Sequence, residues 1–201
     1  MTPLYASYGA IAVWGLSWAL AGLWSRRTAA RPPVLDQVAY LAPTLAGGLL
    51  IAVDARAAIQ GSRLGFGDPA LWRLSAAAGW GLFSLCLLGL GFTWWARLTL
   101  GDLWSSSVQR KDGHTLVERG PYRLVRHPIY SGLIGALLGT AITVGTAGAA
   151  LGLAIIIASF VRKLRAEEVF MRETFAVEYP RYRAEVPALV PFTTPRRSAP
   201  R

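Results

Sequence analysis

The residues able to do chemistry fall in two polar clusters separated by a long uncharged stretch. The first runs His114-Thr115-Leu116-Val117-Glu118-Arg119-Gly120-Pro121-Tyr122-Arg123-Leu124-Val125-Arg126-His127-Pro128-Ile129-Tyr130. It offers backbone amides beside glycine, aromatic faces, guanidinium donors and one imidazole, set against a helix start at Pro128. The second is the pair Glu167-Glu168. A helix N-terminus favours negative charge, whereas carboxylates favour a cationic amine or sulfonium. A ligand carrying both a carboxylate and an ammonium suits such a divided site. Taken singly, Arg119, Arg123 and Arg126 read as membrane-flanking charges and the glutamates as a solvated helix face. His127 alone reads equally as a helix-start hydrogen bond or a ligand contact. Ordered around a hairpin, the set reads as a site.

The hairpin follows from length. Ile129 to Phe160 is 32 residues without a charge. As one straight helix it would rise roughly 48 Å, well beyond the ~30 Å hydrocarbon core. Glycines stand at 132, 135, 139, 145, 148 and 152. A chain that enters at Ile129, turns near Gly145 to Gly148 and returns by Phe160 delivers His127 and Glu167 to the same membrane face.

Composition agrees with a membrane domain. The chain has 201 residues, 53% of them hydrophobic, too apolar for an ordinary soluble domain. Leu4 to Trp24 holds 21 uncharged residues, Gln37 to Val53 holds 17 and Leu74 to Ala96 holds 23, each near the ~20 a spanning helix requires. With the hairpin, about five transmembrane helices are predicted in an all-α integral membrane protein. No basic region precedes the first stretch, and Trp14, Trp18 and Trp24 fit a retained span with an interfacial end.

The net charge of +10 is read as a topology signal rather than as nucleic-acid binding. With the hairpin, eighteen of the 21 basic residues fall on the same side; a single crossing of 129–160 would place the C-terminal basic residues outside. The positive-inside rule then puts both polar clusters in the cytoplasm. Arginine outnumbers lysine nineteen to two, which hints at a GC-rich bacterial genome and an inner-membrane location. The lone Cys86 sits mid-span and reads as core packing.

Residues 1–96 read as three transmembrane helices without a ligand constellation, Pro43 and Gly47-Gly48 being tolerated helix breakers. Residues 97–192 hold the polar loop, the helical hairpin and a C-terminal cytosolic helix, in which Phe170, Phe175, Tyr179 and Tyr182 approximate helical spacing and which ends by Pro187 and Pro191. Residues 193–201 read as a disordered basic tail.

Leu116-Val117, then Gly120-Pro121-Tyr122, then Arg126-His127-Pro128-Ile129-Tyr130-Ser131-Gly132, a short hairpin, and Glu167-Glu168 with Phe175, Tyr179, Tyr182, Val186 and Pro187 resemble the isoprenylcysteine carboxyl methyltransferase family. The resemblance covers roughly Trp94 to Phe192. It implies S-adenosyl-L-methionine as cofactor, held on the cytosolic side by the hairpin and C-terminal helix. By matching positions, it implies that Gln109, His114, Thr115, Leu116, Val117, Gly120, Tyr122, His127, Pro128, Ile129, Tyr130 and Glu167 bind the cofactor. It implies Arg97 as an acceptor and catalytic residue beside Glu167 and Glu168, and further acceptor contact from Arg162, Lys163 or Arg165. No metal site is assigned.

Methyl transfer from a sulfonium is an in-line displacement, so positioning and exclusion of water are the main tasks expected of the protein. The expected acceptor is lipophilic, entering from the bilayer; a prenylated carboxylate of isoprenylcysteine type leads. A phospholipid amine or a thiol acceptor on the same scaffold, a sterol-reductase-like enzyme and a non-catalytic membrane protein are the alternatives. Sequence leaves the oligomeric state open.

Overall fold

The computed structural model describes residues 2–22, 34–60, 70–101 and 116–193. Among them are six helices and no strand: α1 (Pro3–Gly22), α2 (Val34–Gln60), α3 (Ala76–Leu100), α4 (Pro128–Val144), α5 (Ala147–Thr174) and α6 (Glu178–Glu185), with a 3₁₀ turn at Gly120–Arg123 before α4. Four helices, α1, α2, α3 and α5, are long and apolar enough to cross a membrane; α4 is apolar but only 17 residues long. The chain is a multi-pass integral membrane protein.

The predicted hairpin is present, and its turn is built from two residues. Gly145 ends α4 at φ 72, the left-handed conformation that glycine adopts without a Cβ penalty, and its N–H donates to Ala141 O at 3.0 Å. Thr146 then caps α5, its Oγ1 accepting from Ala149 N at 3.1 Å. A two-residue link forces α4 and α5 to run antiparallel. Their starts and finishes therefore share one end of the bundle.

The other helices pack on this hairpin through small residues. A Cβ at Gly89 would strike Gly132 O and one at Gly47 would strike Gly152 O, so α3 against α4 and α2 against α5 approach to backbone contact. Both pairs are antiparallel. Helix α1 runs parallel to α3: Pro3 lies beside the Gly79 position, Trp14 Nε1 donates to Thr93 Oγ1 at 2.7 Å, and Trp94 Nε1 donates to Ser17 Oγ at 3.2 Å. The apolar core joins Leu4, Ile51, Ala149, Leu153, Ile156 and Phe160 across α1, α2 and α5.

Two features depart from the sequence reading. Asp54, inside α2, is buried at 1% exposure and accepts from Thr146 Oγ1 at 2.6 Å, directly at the start of α5. There the aligned peptide dipoles favour a negative charge. Helix α5 also stops at Phe175 instead of running on to Pro187, and the chain restarts as the eight-residue α6. The break lets Phe175, Tyr179 and Tyr182 gather with Leu116, Met171 and Val186 in a second apolar cluster outside the bundle.

At 28 residues, α5 rises about 42 Å, more than the ~30 Å core it crosses. Its last turns, which carry Arg162, Lys163, Arg165, Glu167 and Glu168, thus project past the apolar layer at the end where α4 begins. Trp24, Gln109, His114, Thr115 and the basic tail from 194 onward lie outside the described residues.

Candidate functional site

The site is assembled where α4 starts, α5 overruns the bundle and the chain after α6 comes back. Pro128 occupies the first turn of α4, where its missing N–H costs nothing, and the preceding residue, His127, becomes the N-cap with φ −124 and ψ 63. The 3₁₀ turn before it sits on the end of α3: Gly120 has φ 60, and a Cβ there would meet Thr99 Oγ1 at 2.9 Å. Pro121 and Tyr122 are buried, and Tyr182 OH donates to Tyr122 O at 2.6 Å, tying α6 to the turn.

Beyond α6 the chain lies across the head of α4 as a strap. Arg126 N donates to Pro187 O at 2.8 Å, His127 N to Ala188 O at 3.0 Å, and Ser131 Oγ to Leu189 O at 2.6 Å. Three successive strap carbonyls are thereby satisfied by the first turn of α4 and the residues before it. The bonds fix the strap to the N-cap of α4 and to the residue on either side of its first turn.

The two glutamates have different neighbours. Glu168 is buried; Arg126 donates to its Oε1 from Nε at 3.0 Å and also from Nη2, and Arg183 Nε lies 3.5 Å from its Oε2. The remaining Arg126 nitrogen, Nη1, donates to Val186 O and to Arg183 O. Glu167, with 26% of its side chain exposed, accepts from Tyr130 OH at 2.5 Å, and its Oε2 lies 3.6 Å from His127 Nδ1. His127 stands between them, its Nε2 3.4 Å from Glu168 Oε1 without forming a hydrogen bond. Burial disfavours the charged imidazole, but the contacts with Glu167 and Glu168 outweigh it and hold the His127 pKa above its ordinary 6.5. Burial likewise pushes the Tyr179 phenol up to about 12, helped by the Glu168 charge, so it is present as a neutral hydroxyl.

An aromatic wall continues from this cluster into the bundle. His127 and Tyr130 stack at 5.9 Å between centroids, and Tyr130 packs on Phe160 at 5.2 Å. Lys163 Nζ lies 4.3 Å from the Tyr40 ring centroid and 5.9 Å from that of Tyr130.

The sequence-predicted residues therefore separate into groups. His127, Pro128, Tyr130, Glu167 and Glu168 come together, with Lys163 at the edge of the same wall. Leu116 packs in the Phe175–Tyr179–Tyr182 cluster, Val117 and Ile129 are half-buried, and Gly120 and Tyr122 form the supporting turn. Arg162 and Arg165 are exposed on α5. Arg97 is buried and faces α1, donating to Ala21 O with its guanidinium carbon 5.2 Å from the Trp18 ring centroid. Sequence reading missed Tyr40, Arg183 and the strap carbonyls. It treated Arg126 as a membrane-flanking charge or a ligand clamp, whereas its guanidinium is engaged by Glu168 and the strap.

The donor set suits a ligand that is polar and cationic in part. Two buried polar atoms, His127 Nε2 and Tyr179 OH, have no hydrogen-bond partner among the described residues, and leaving such groups unsatisfied is costly. Glu167 is open enough to face a cationic group. These features fit a sulfonium nucleoside carrying an amino acid end.

Comparison with known proteins points the same way. Residues 82–173 match the isoprenylcysteine carboxyl methyltransferase (ICMT) family model. Over 86 residues the chain is 31% identical to protein-S-isoprenylcysteine O-methyltransferase B of Arabidopsis thaliana, covering 42% of this chain and 44% of the relative. It is 32% identical over 99 residues to protein-S-isoprenylcysteine O-methyltransferase of Schizosaccharomyces pombe, covering 48% and 42%. It is also 33% identical over 110 residues to the cobalt-zinc-cadmium resistance protein CzcN of Cupriavidus metallidurans, covering 52% and 49%. The chain thus spans less than half the length of each of these relatives.

Proposed function

We propose, because residues 82–173 match the isoprenylcysteine carboxyl methyltransferase family model, that the protein is a membrane methyltransferase acting on a lipophilic carboxylate of isoprenylcysteine type. The observation that supports this reading is the convergence of His127, Tyr130 and Glu167 at the head of a membrane hairpin, with Lys163 on the same wall.

S-Adenosylmethionine, when bound, supplies a methyl group that passes to the acceptor while the carbon–sulfur electron pair returns to sulfur. His127, Tyr130, Glu167 and the Leu116–Val117 segment would hold it. In this reading Glu167 faces its cationic groups. Gln109, His114 and Thr115 are proposed from the family resemblance as further contacts, together with the backbone around Gly120, Tyr122, Pro128 and Ile129. Glu168, engaged by Arg126 and Arg183, acts by fixing His127 and the strap.

A carboxylate acceptor is ionised at neutral pH and needs no general base. The chain's remaining tasks are to orient that carboxylate and keep water out. Lys163 brings an ammonium to the aromatic wall, 4.3 Å from the Tyr40 ring centroid. Arg97 is proposed as a second cation for the acceptor, reached from the α1–α3 side. A prenyl tail in the bilayer would add affinity at ~0.8 kcal/mol per buried CH₂. The basic residues gathered at this end of the bundle support a cytoplasmic site by the positive-inside rule.

The first test is a thermal shift of the purified protein with S-adenosylhomocysteine, since a ligand bound only by the folded state raises its stability by mass action. Labelled methyl transfer to an S-farnesylcysteine carboxylate, a phospholipid amine and an alkyl thiol then identifies the acceptor. Stabilisation followed by transfer to the carboxylate supports the reading. Transfer to the amine alone would replace the acceptor while keeping the fold and cofactor. Absence of any shift would reject the reading.

A further inference from the structure

Tyr40 belongs to α2, more than forty residues before the family-matched segment begins, yet it reaches the same wall as the hairpin residues. Its ring lies 4.3 Å from Lys163 Nζ. Two bonds hold α2 there: Ser159 Oγ, one turn before Lys163 on α5, donates to Tyr40 O at 2.7 Å and lies 2.9 Å from Thr44 Oγ1. The backbone approach of Gly47 to Gly152 fixes the same helix pair further along. The position of the Tyr40 ring is therefore set by the α2–α5 interface and does not depend on a mobile loop.

Lysine needs such a surface more than arginine does. Its ammonium is a compact point charge on a flexible four-carbon stem, without the planar fork by which a guanidinium orients a carboxylate. An aromatic face within about 6 Å attracts the ammonium and restricts its directions, most effectively where water is scarce. Tyr130, its ring centroid 5.9 Å from the same ammonium, is itself tied to Glu167 through its hydroxyl. The two rings thus confine Lys163 beside the groups assigned to the cofactor.

We propose that Tyr40 is a positioning residue for acceptor selectivity: its ring holds the Lys163 ammonium toward the carboxylate of the lipophilic acceptor. This rests on the function proposed above. It adds that the N-terminal helices, outside the matched segment, help decide which acceptors are used.

The test compares Tyr40→Leu, Tyr40→Phe and Tyr40→Trp in the protein loaded with S-adenosylhomocysteine. The probes are an S-farnesylcysteine carboxylate and its uncharged methyl ester, titrated by thermal shift. The parent prefers the carboxylate. Tyr40→Leu is expected to weaken carboxylate binding roughly five- to tenfold while leaving ester and S-adenosylhomocysteine binding unchanged; Tyr40→Phe and Tyr40→Trp keep the preference. In turnover, Tyr40→Leu raises acceptor KM with little change in kcat. In a Lys163→Met background, Tyr40→Leu adds no further loss of preference. Equal weakening of carboxylate and ester, or an additive loss without Lys163, overturns the proposal while the methyltransferase reading stands. Should Tyr40→Leu not fold, loss of the preference in both Phe and Trp variants overturns it instead. Failure of the parent to bind S-adenosylhomocysteine removes both readings.

Discussion

Arg126 and Glu168, 42 positions apart, form a buried ion pair in which Nε and Nη2 of the guanidinium both donate to Oε1, Nε at 3.0 Å. The third nitrogen, Nη1, is bonded to carbonyls of Arg183 and Val186. One side chain thus joins the start of α4, the projecting turns of α5 and the strap after α6. The residue next to each partner, His127 and Glu167, is a candidate ligand contact. The pair sets the geometry of the site without having to touch a substrate.

Arg126→Met leaves the Glu168 carboxylate buried without its main partner, a loss of about 3–5 kcal/mol. Unfolding in detergent should show this as a clear drop in midpoint. Arg126→Met combined with Glu168→Leu should recover part of it, because the uncompensated charge is gone. Cofactor binding should remain weak in the double variant, since neither the strap nor His127 is held. Full recovery of binding would mean that the pair serves stability alone.

His127 predicts a pH dependence. Its folded-state pKa lies above the ordinary 6.5 because Glu167 and Glu168 outweigh burial. The stabilisation from charged His127 is therefore complete below about pH 6.5 and is lost as pH rises through the elevated folded value. The midpoint of thermal unfolding should fall across that window in the parent and change less in His127→Asn. A midpoint that rises with pH in the parent, and not in the variant, would contradict the assigned charge state.

The hairpin was legible because its signals are local. A long uncharged stretch, glycines where the turn must lie, and proline at the first helical position are each written in adjacent residues. Glu167-Glu168 was legible as a pair, but the difference between them was not, since it depends on Arg126 and Arg183 arriving from distant segments. The strap left no mark because its bonds are made by carbonyls, which every residue has. Tyr40 looks like any interfacial aromatic, and only the α2–α5 approach turns it toward Lys163. Asp54 reads as a charge at the end of a span; its burial depends on Gly148, where a Cβ would collide with the carboxylate. The periodic aromatics after Phe170 suggested one continuous helix, and the break at Phe175 is a tertiary choice that gathers them on Leu116 and Val186.

The far end of the bundle should affect stability without affecting the site. Thr146 caps α5 and donates to Asp54 Oδ2 at 2.6 Å. Thr146→Val removes the cap and that hydrogen bond, and should lower stability by about 1–2 kcal/mol. Thr146→Ser should retain most of it. Acceptor KM should be unchanged in both, measured below the unfolding range. A changed KM would show that the hairpin turn communicates with the head of α4.

Topology gives the remaining prediction. Arg119 and Arg165 are exposed at the end bearing the site, and Arg73 is exposed just before α3 at the opposite end. In a Cys86→Ala background, a membrane-impermeant thiol reagent applied to intact cells should label Arg73→Cys and spare Arg119→Cys and Arg165→Cys until the membrane is opened. Arg119 and Arg165 flank the hairpin from its two sides in sequence. Their joint protection puts both on one side, as a hairpin that crosses twice between them demands, and the concentration of basic residues at their end favours the cytoplasm for that side. Labelling of one but not the other would break the hairpin. Labelling of both, with Arg73→Cys spared, would keep the hairpin and invert the protein, placing the cofactor pocket where S-adenosylmethionine is not supplied.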